Sequence, residues 1–206
     1  MKKLTMLATA GALAATVALA GCGSSSGGND AGSMSSPSSS SAATSSSAAT
    51  PASGPHNDAD VMFAQMMIPH HRQAIEMADM IVAKQGIDSQ VTTLATQIKA
   101  AQTPEIDQMT GWLTGWGQST TPSTDMDHGM GGTMSQSEMD ALDKATGDQA
   151  TKLFLSGMVK HHQGAIDMAK EELANGRNPD AQKLAQSIQD TQQAEIDQMN
   201  ELLTKY

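Results

Sequence analysis

Phe63-Ala64-Gln65-Met66-Met67-Ile68-Pro69-His70-His71-Arg72-Gln73-Ala74-Ile75-Glu76-Met77-Ala78 lies over Phe154-Leu155-Ser156-Gly157-Met158-Val159-Lys160-His161-His162-Gln163-Gly164-Ala165-Ile166-Asp167-Met168-Ala169, at an offset of 91 residues. Further on, Gln102-Thr103-Pro104-Glu105-Ile106-Asp107-Gln108-Met109 matches Gln192-Gln193-Ala194-Glu195-Ile196-Asp197-Gln198-Met199, at an offset of 90. The residue lost between the blocks falls near Gly86 and Gly176, where a turn absorbs a deletion. Each copy is therefore two segments joined at a turn. Phe63, Met67, His70, Ala74, Met77 and Ile81 share one stripe at helical spacing, and Val91, Leu94, Ile98, Gln102, Glu105, Met109 and Leu113 share another. A single hairpin would leave these stripes in water. Two hairpins packed together bury all four, so the expected fold is all-α: a four-helix bundle built from two duplicated helical hairpins.

Outward from the repeat, the hairpins are expected at 58–117 and 135–206, with a crossover loop at 118–134. Ser135 with Glu138 forms a capping-box pattern that opens the third helix, and Asn178-Pro179 places a cap and a first-turn proline at the fourth. Pro69 and Pro104 occur only in copy one; copy two has Lys160 and Ala194 there. Copy two reads as unbroken helix, so bends rather than helix ends are predicted at both prolines. Bends at the polar cluster would make copy one the more open of the two sites.

The N-terminus has a different character. Lys2 and Lys3 precede an apolar stretch, Leu4 to Ala20, which closes on Leu19-Ala20-Gly21-Cys22. This pattern is a secretion signal rather than a structural helix. Its ending resembles the lipobox of bacterial lipoproteins, which implies a signal peptide over 1–21 and a lipidated Cys22; the alternative is an ordinary cleaved signal with a chance cysteine. Acyl chains on Cys22 would hold the protein at a membrane surface outside the cytoplasm. As the sole cysteine, Cys22 leaves no intramolecular disulfide and no thiolate for a metal. Residues 22–57 are rich in Ser, Ala and Gly and lack apolar periodicity, the composition of a flexible tether. Net charge is −10 for the whole chain and near −12 without the signal, which argues against nucleic acid as a partner.

The stripes carry polar residues at matched places. His70, Gln102 and Glu105 recur as His161, Gln192 and Glu195. A buried carboxylate must be paired or neutralised. His71 and His162 lie about 100° round the helix from their neighbours, at a helix seam or the surface. Two arrangements fit: a His–Glu hydrogen-bonded pair supported by Gln, or a metal held between helices by His, Met and Glu. The chain has 16 methionines against five aromatic residues. Methionine at helical spacing is ordinarily core filler. The crossover Asp125-Met126-Asp127-His128-Gly129-Met130-Gly131-Gly132-Thr133-Met134 is different, because a Gly-rich polar loop has no core to fill. Met126, His128, Met130 and Met134 are candidates for metal capture. Thioethers select Cu(I) and Ag(I), and imidazole suits copper in either oxidation state. A di-iron bundle would need Glu-x-x-His, structural zinc would want cysteines, and an EF-hand needs more oxygen ligands than Asp125 and Asp127 supply.

The Met-x-x-His-His-x-x-Ala-Ile-x-Met-Ala block, with Gln-x-x-Glu-Ile-x-x-Met after it and Trp112-Leu113 in copy one, resembles the family of domain of unknown function 305. Copy two departs by ending in Glu201-Leu202. The resemblance implies a ferritin-like bundle, an envelope or secreted location and, in some members, copper binding linked to copper tolerance. Carried over by position, it implicates His70, His71, Met77, Glu105 and Met109, with His161, His162, Met168, Glu195 and Met199. The resulting expectation is a lipid-anchored extracytoplasmic protein that binds copper for sequestration or transfer, with a copper-handling protein as a candidate partner. His70 and His161 would be central ligands. Met67, Met77, Met109, Met158, Met168 and Met199 would support them, and Glu105 and Glu195 would orient the imidazoles or ligate directly. The competing function is a non-metal helical interaction module with structural His–Glu pairs. No catalytic constellation is recognised, so an enzyme is not expected.

Overall fold

The computed structural model describes residues 54–121 and 131–206. Cys22, the signal, most of the tether, and Met126, His128 and Met130 lie outside the described residues. The chain forms α1 (Asp58–Val82), α2 (Ser89–Gly115), α3 (Gln136–Lys144), α4 (Gly147–Asn175) and α5 (Pro179–Leu203), with no strand among the described residues. The four long helices make the expected bundle. Among the described residues no helix is long and apolar enough to cross a membrane.

The helix starts follow their sequence signals. Asn57 accepts from the Ala59 and Asp60 backbone N–H groups while Asp60 returns a bond to the Asn57 N–H, a capping box at α1. Asn178 caps α5 ahead of Pro179. One expectation is corrected. The Ser135–Glu138 capping box opens only the nine-residue α3, and the third bundle helix begins at Gly147 after an extended break at Ala145 and Thr146. The break frees α3 to bury Met139 and Leu142 against one end of the bundle. Neither interior proline ends its helix: α1 runs through Pro69 and α2 through Pro104. Each proline removes one backbone bond, a local loss that burial of a full apolar stripe outweighs.

The hairpins α1–α2 and α4–α5 meet along α1 and α4, the helices that carry the His-His pairs. Phe63, Met67, Met109 and Trp112 pack with Ala165, Ala169, Leu184 and Ile188 in one apolar cluster. Met77, Ile81, Leu94 and Ile98 pack with Phe154, Met158, Ile196 and Met199 in a second. The N-terminal half of α1 thus meets the C-terminal half of α4, and the converse holds at the other end. The two helices are antiparallel and cross at His70 and His161. A polar layer of His70, His71, Gln102, Glu105 and their copy-two counterparts divides the core into two.

Candidate metal centre

His70, His71, His161 and His162 are fully buried, with 0% of their surface exposed. The crossing of α1 and α4 brings His70 and His161 into ring contact, centroids 3.7 Å apart and planes tilted by 40°. One residue on, each helix turns its second histidine toward its own hairpin partner. His71 Nε2–H donates to Glu105 Oε2 on α2 at 2.7 Å, and His162 Nε2–H donates to Glu195 Oε2 on α5 at 2.7 Å. The two glutamates are partly exposed, at 19% and 14%, so each carboxylate keeps contact with water while its histidine has none. Gln102 and Gln192 are buried beside them.

This geometry fixes a pairing that residue spacing leaves open. The glutamates bond His71 and His162, not the central His70 and His161. The reason lies in helix geometry: the 100° step to the next residue swings the second histidine away from the α1–α4 seam and toward the partner within the hairpin. A carboxylate acceptor at Nε2 fixes the proton there. Nδ1 of His71 and of His162 is buried and without a hydrogen-bond partner among the described residues, and in the neutral ring it is a bare lone pair. His70 Nε2 faces the Gly131 carbonyl at 3.3 Å, an acceptor that also calls for an Nε2 proton. Among the described residues its Nδ1 has no partner, and neither ring nitrogen of His161 has one.

Burial sets the charge state of the central pair. Desolvation, with repulsion from His71 and His162, lowers the His70 pKa to about 3. Desolvation first, then repulsion from the other three histidines, holds His161 well below the usual imidazole range; the main chain of His70 opposes this without reaching hydrogen-bonding geometry. Both are neutral at pH 7. The central pair thus presents neutral imidazoles with lone pairs inside a low-dielectric core, the donor state that a soft or borderline cation takes. Among the described residues no three His, Asp, Glu or Cys side chains already converge on one point.

The methionines divide. Met67 and Met109 lie in one apolar cluster, and Met77, Met158 and Met199 in the other, so thioethers flank the histidine layer on both sides. Met168 is only partly buried: it packs against the cluster of Met67 and Met109 and also lines an outer pocket on α4 with Gly131 and Gly164. Met134 also departs from expectation. Its Gly-rich surroundings predict a loop residue with no core to fill, yet it is 6% exposed and packs in the cluster containing Met77 and Met158. The crossover turns inward before α3, a path that no periodicity in a Gly-rich segment encodes. The Gly131 carbonyl and Gln73 were missed for the same reason; Gln73 holds Met134 by both its backbone N–H (2.8 Å) and its carbonyl (2.9 Å).

Comparison with known proteins places this chain among relatives. No curated protein matches the chain. Among solved structures, a DUF305 protein from Streptomyces coelicolor described as secreted is 33% identical, covering 71% of this chain and 93% of its own, with a TM-score of 0.67. A DUF305 fragment from Deinococcus radiodurans is 32% identical over 74% of this chain and 100% of its own, also at 0.67. CopM, solved with Cu(I), is 32% identical over 71% and 96%, with a TM-score of 0.61; it has also been solved with Cu(II) and with Ag. The family model for DUF305, a domain of unknown function, matches residues 60–203, and the chain belongs to that family.

Proposed function

We propose that this protein binds copper outside the cytoplasm, sequestering the ion or handing it on, while Cys22 and its acyl chains tether it to a membrane. The observation that carries the reading is the set of five buried ring nitrogens that find no partner among the described residues, on four histidines at one helix crossing. Leaving a buried polar atom unsatisfied costs about 1–3 kcal/mol. A cation that accepts these lone pairs removes that cost, and it stabilises only the folded state.

The donors would be His70, His71, His161 and His162. Glu105 and Glu195 hold the second pair in the ligating tautomer, the role a carboxylate plays behind a metal-bound histidine. Met67, Met77, Met109, Met158 and Met199 supply soft sulfur from above and below. CopM's Cu(I), Cu(II) and Ag forms support copper as the ion, and the secreted Streptomyces relative supports the location. The reading gives Met126, His128 and Met130 of the crossover the role of capturing the ion, with a copper-handling protein as the donor or recipient. A second reading, a helical interaction module with structural His–Glu pairs, is favoured by the lack of any pre-converged trio of His, Asp or Glu ligands among the described residues.

Thermal unfolding of the chain with and without Ag(I) separates the two. A ligand at 100 times its Kd adds about 2.7 kcal/mol, a rise in Tm of several degrees. The rise should disappear in a His70→Ala/His161→Ala double variant. An unchanged Tm in the unaltered protein would leave the interaction module as the better account.

A further inference from the structure

The two copies are not interchangeable around the histidines, and the difference lies in two glycines. Where copy one has Met66 and Gln73, copy two has Gly157 and Gly164. These are seven residues apart, two turns of α4, and so share one face of it. Against that face lies the returning end of the crossover, Gly131 to Met134. A Cβ on Gly164 would run into the Gly131 carbonyl oxygen. One on Gly157 would lie 2.8 Å from the Met134 sulfur. Gly132, at φ +86°, has its own Cα side pressed on the Lys160 carbonyl and on Gly164, so a side chain is excluded there too. The lengths agree: three extended residues reach roughly 10 Å and two helical turns rise about 10.5 Å. Across the gap Gln73 closes both hydrogen bonds on the Met134 backbone.

We propose that Gly157 and Gly164 are the seat on α4 for a strap, Gly131–Met134, and that the seated strap makes the two central histidines chemically unequal. Its Gly131 carbonyl does for His70 what Glu105 does for His71 and Glu195 for His162. It accepts an Nε2 proton and leaves Nδ1 bare. His161 has no such partner among the described residues and can present either nitrogen. Gln73, Gly164 and Gly157 are thus positioning residues, acting on His70 through the strap. That Nδ1 faces a metal rests on the copper reading; the seat and the tautomer do not.

The test is made without metal, on the full chain, by two-bond 1H–15N correlation spectra of the histidine rings and hydrogen exchange at the Met134 amide. In the unaltered protein His70 should carry its proton on Nε2. Gly164→Ala should unseat the strap, turn His70 into a mixture of tautomers and speed exchange at Met134 at least about tenfold. His71 and His162 should keep their Nε2 protons. Gln73→Leu, which leaves α4 untouched, should move the same two readouts and keeps the test decisive if the alanine variant does not fold. A His70 proton on Nδ1 in the unaltered chain would overturn the proposal, as would wild-type values for either readout in Gln73→Leu. Ag(I) uptake by the unaltered chain, measured alongside, bears on the metal reading alone.

Discussion

Burial holds the two central imidazoles, His70 and His161, neutral, so their chemistry is decided by where each ring keeps its proton. At His71 and His162 the choice is made by a carboxylate 2.7 Å away. Glu105→Ala should therefore leave a buried Nε2–H without an acceptor and lower stability in urea by about 1–3 kcal/mol. Glu105→Gln, which keeps an acceptor oxygen, should lose less. Equal, near-zero losses in both would mean that the bond does not hold the ring. Met134 supports a second expectation. Its burial against Met77 and Met158 makes it core, so Met134→Ala should cost about 2–5 kcal/mol in the metal-free protein. A loss of a few tenths would return it to the role of a loop ligand.

Among the elements, the prolines of copy one are the clearest local departure from helix chemistry. Pro104 lies inside α2 on the exposed side, and its missing N–H leaves one i→i−4 bond unmade. Copy two has Ala194 at the matched position, inside an unbroken α5. Pro104→Ala should thus raise stability by about 1–3 kcal/mol, visible as a higher Tm in a thermal melt. No increase would mean that the bundle has absorbed the proline by adjusting around it. Much of this architecture was legible in the chain. The 3.6-residue stripes, the duplicated blocks and Asn178-Pro179 each carry a local signal, and each led to the right element. The polar residues of the stripe led to the right layer. Which glutamate pairs with which histidine was not legible, because it depends on the rotation of each helix about its axis, and spacing leaves that open. The inward turn of Gly131–Met134 was hidden further, since it is specified by an absence of side chains on α4. The Met66–Gly157 and Gln73–Gly164 mismatches between copies were its only trace.

At the scale of the whole molecule, the end of the bundle away from α3 is closed by a buried carboxyl pair. Asp60 in the first turn of α1 is fully buried and accepts from the backbone N–H groups of Arg177, Asn178 and Asn57, binding the start of α1 to the α4–α5 turn. Asn57 adds a bond to the Asn175 carbonyl, and Asn178 one to Pro55. Burial alone would raise the Asp60 pKa, but these N–H donors and Glu172 outweigh it and keep the group below its usual range. Glu172 of α4 lies beside it, 1% exposed, and among the described residues no N–H or O–H donor reaches its carboxyl. Two acceptors can bond only if one holds a proton. Burial, together with the Asp60 hydrogen bond and charge, assigns that proton to Glu172 and raises its pKa to about 8. The folded state therefore binds a proton that the unfolded chain releases near the ordinary value of 4.5. Stability from this contact is complete below pH 4.5 and declines as pH rises through 8, by at most about 1.4 kcal/mol per pH unit. Glu172→Gln keeps a donor toward Asp60 and removes the ionisation. Urea unfolding at a series of pH values should find the variant equal to the unaltered protein near pH 4.5, more stable at pH 8, and flatter between. Parallel profiles would mean that Glu172 stays ionised in the fold, and the shared proton would have to be abandoned.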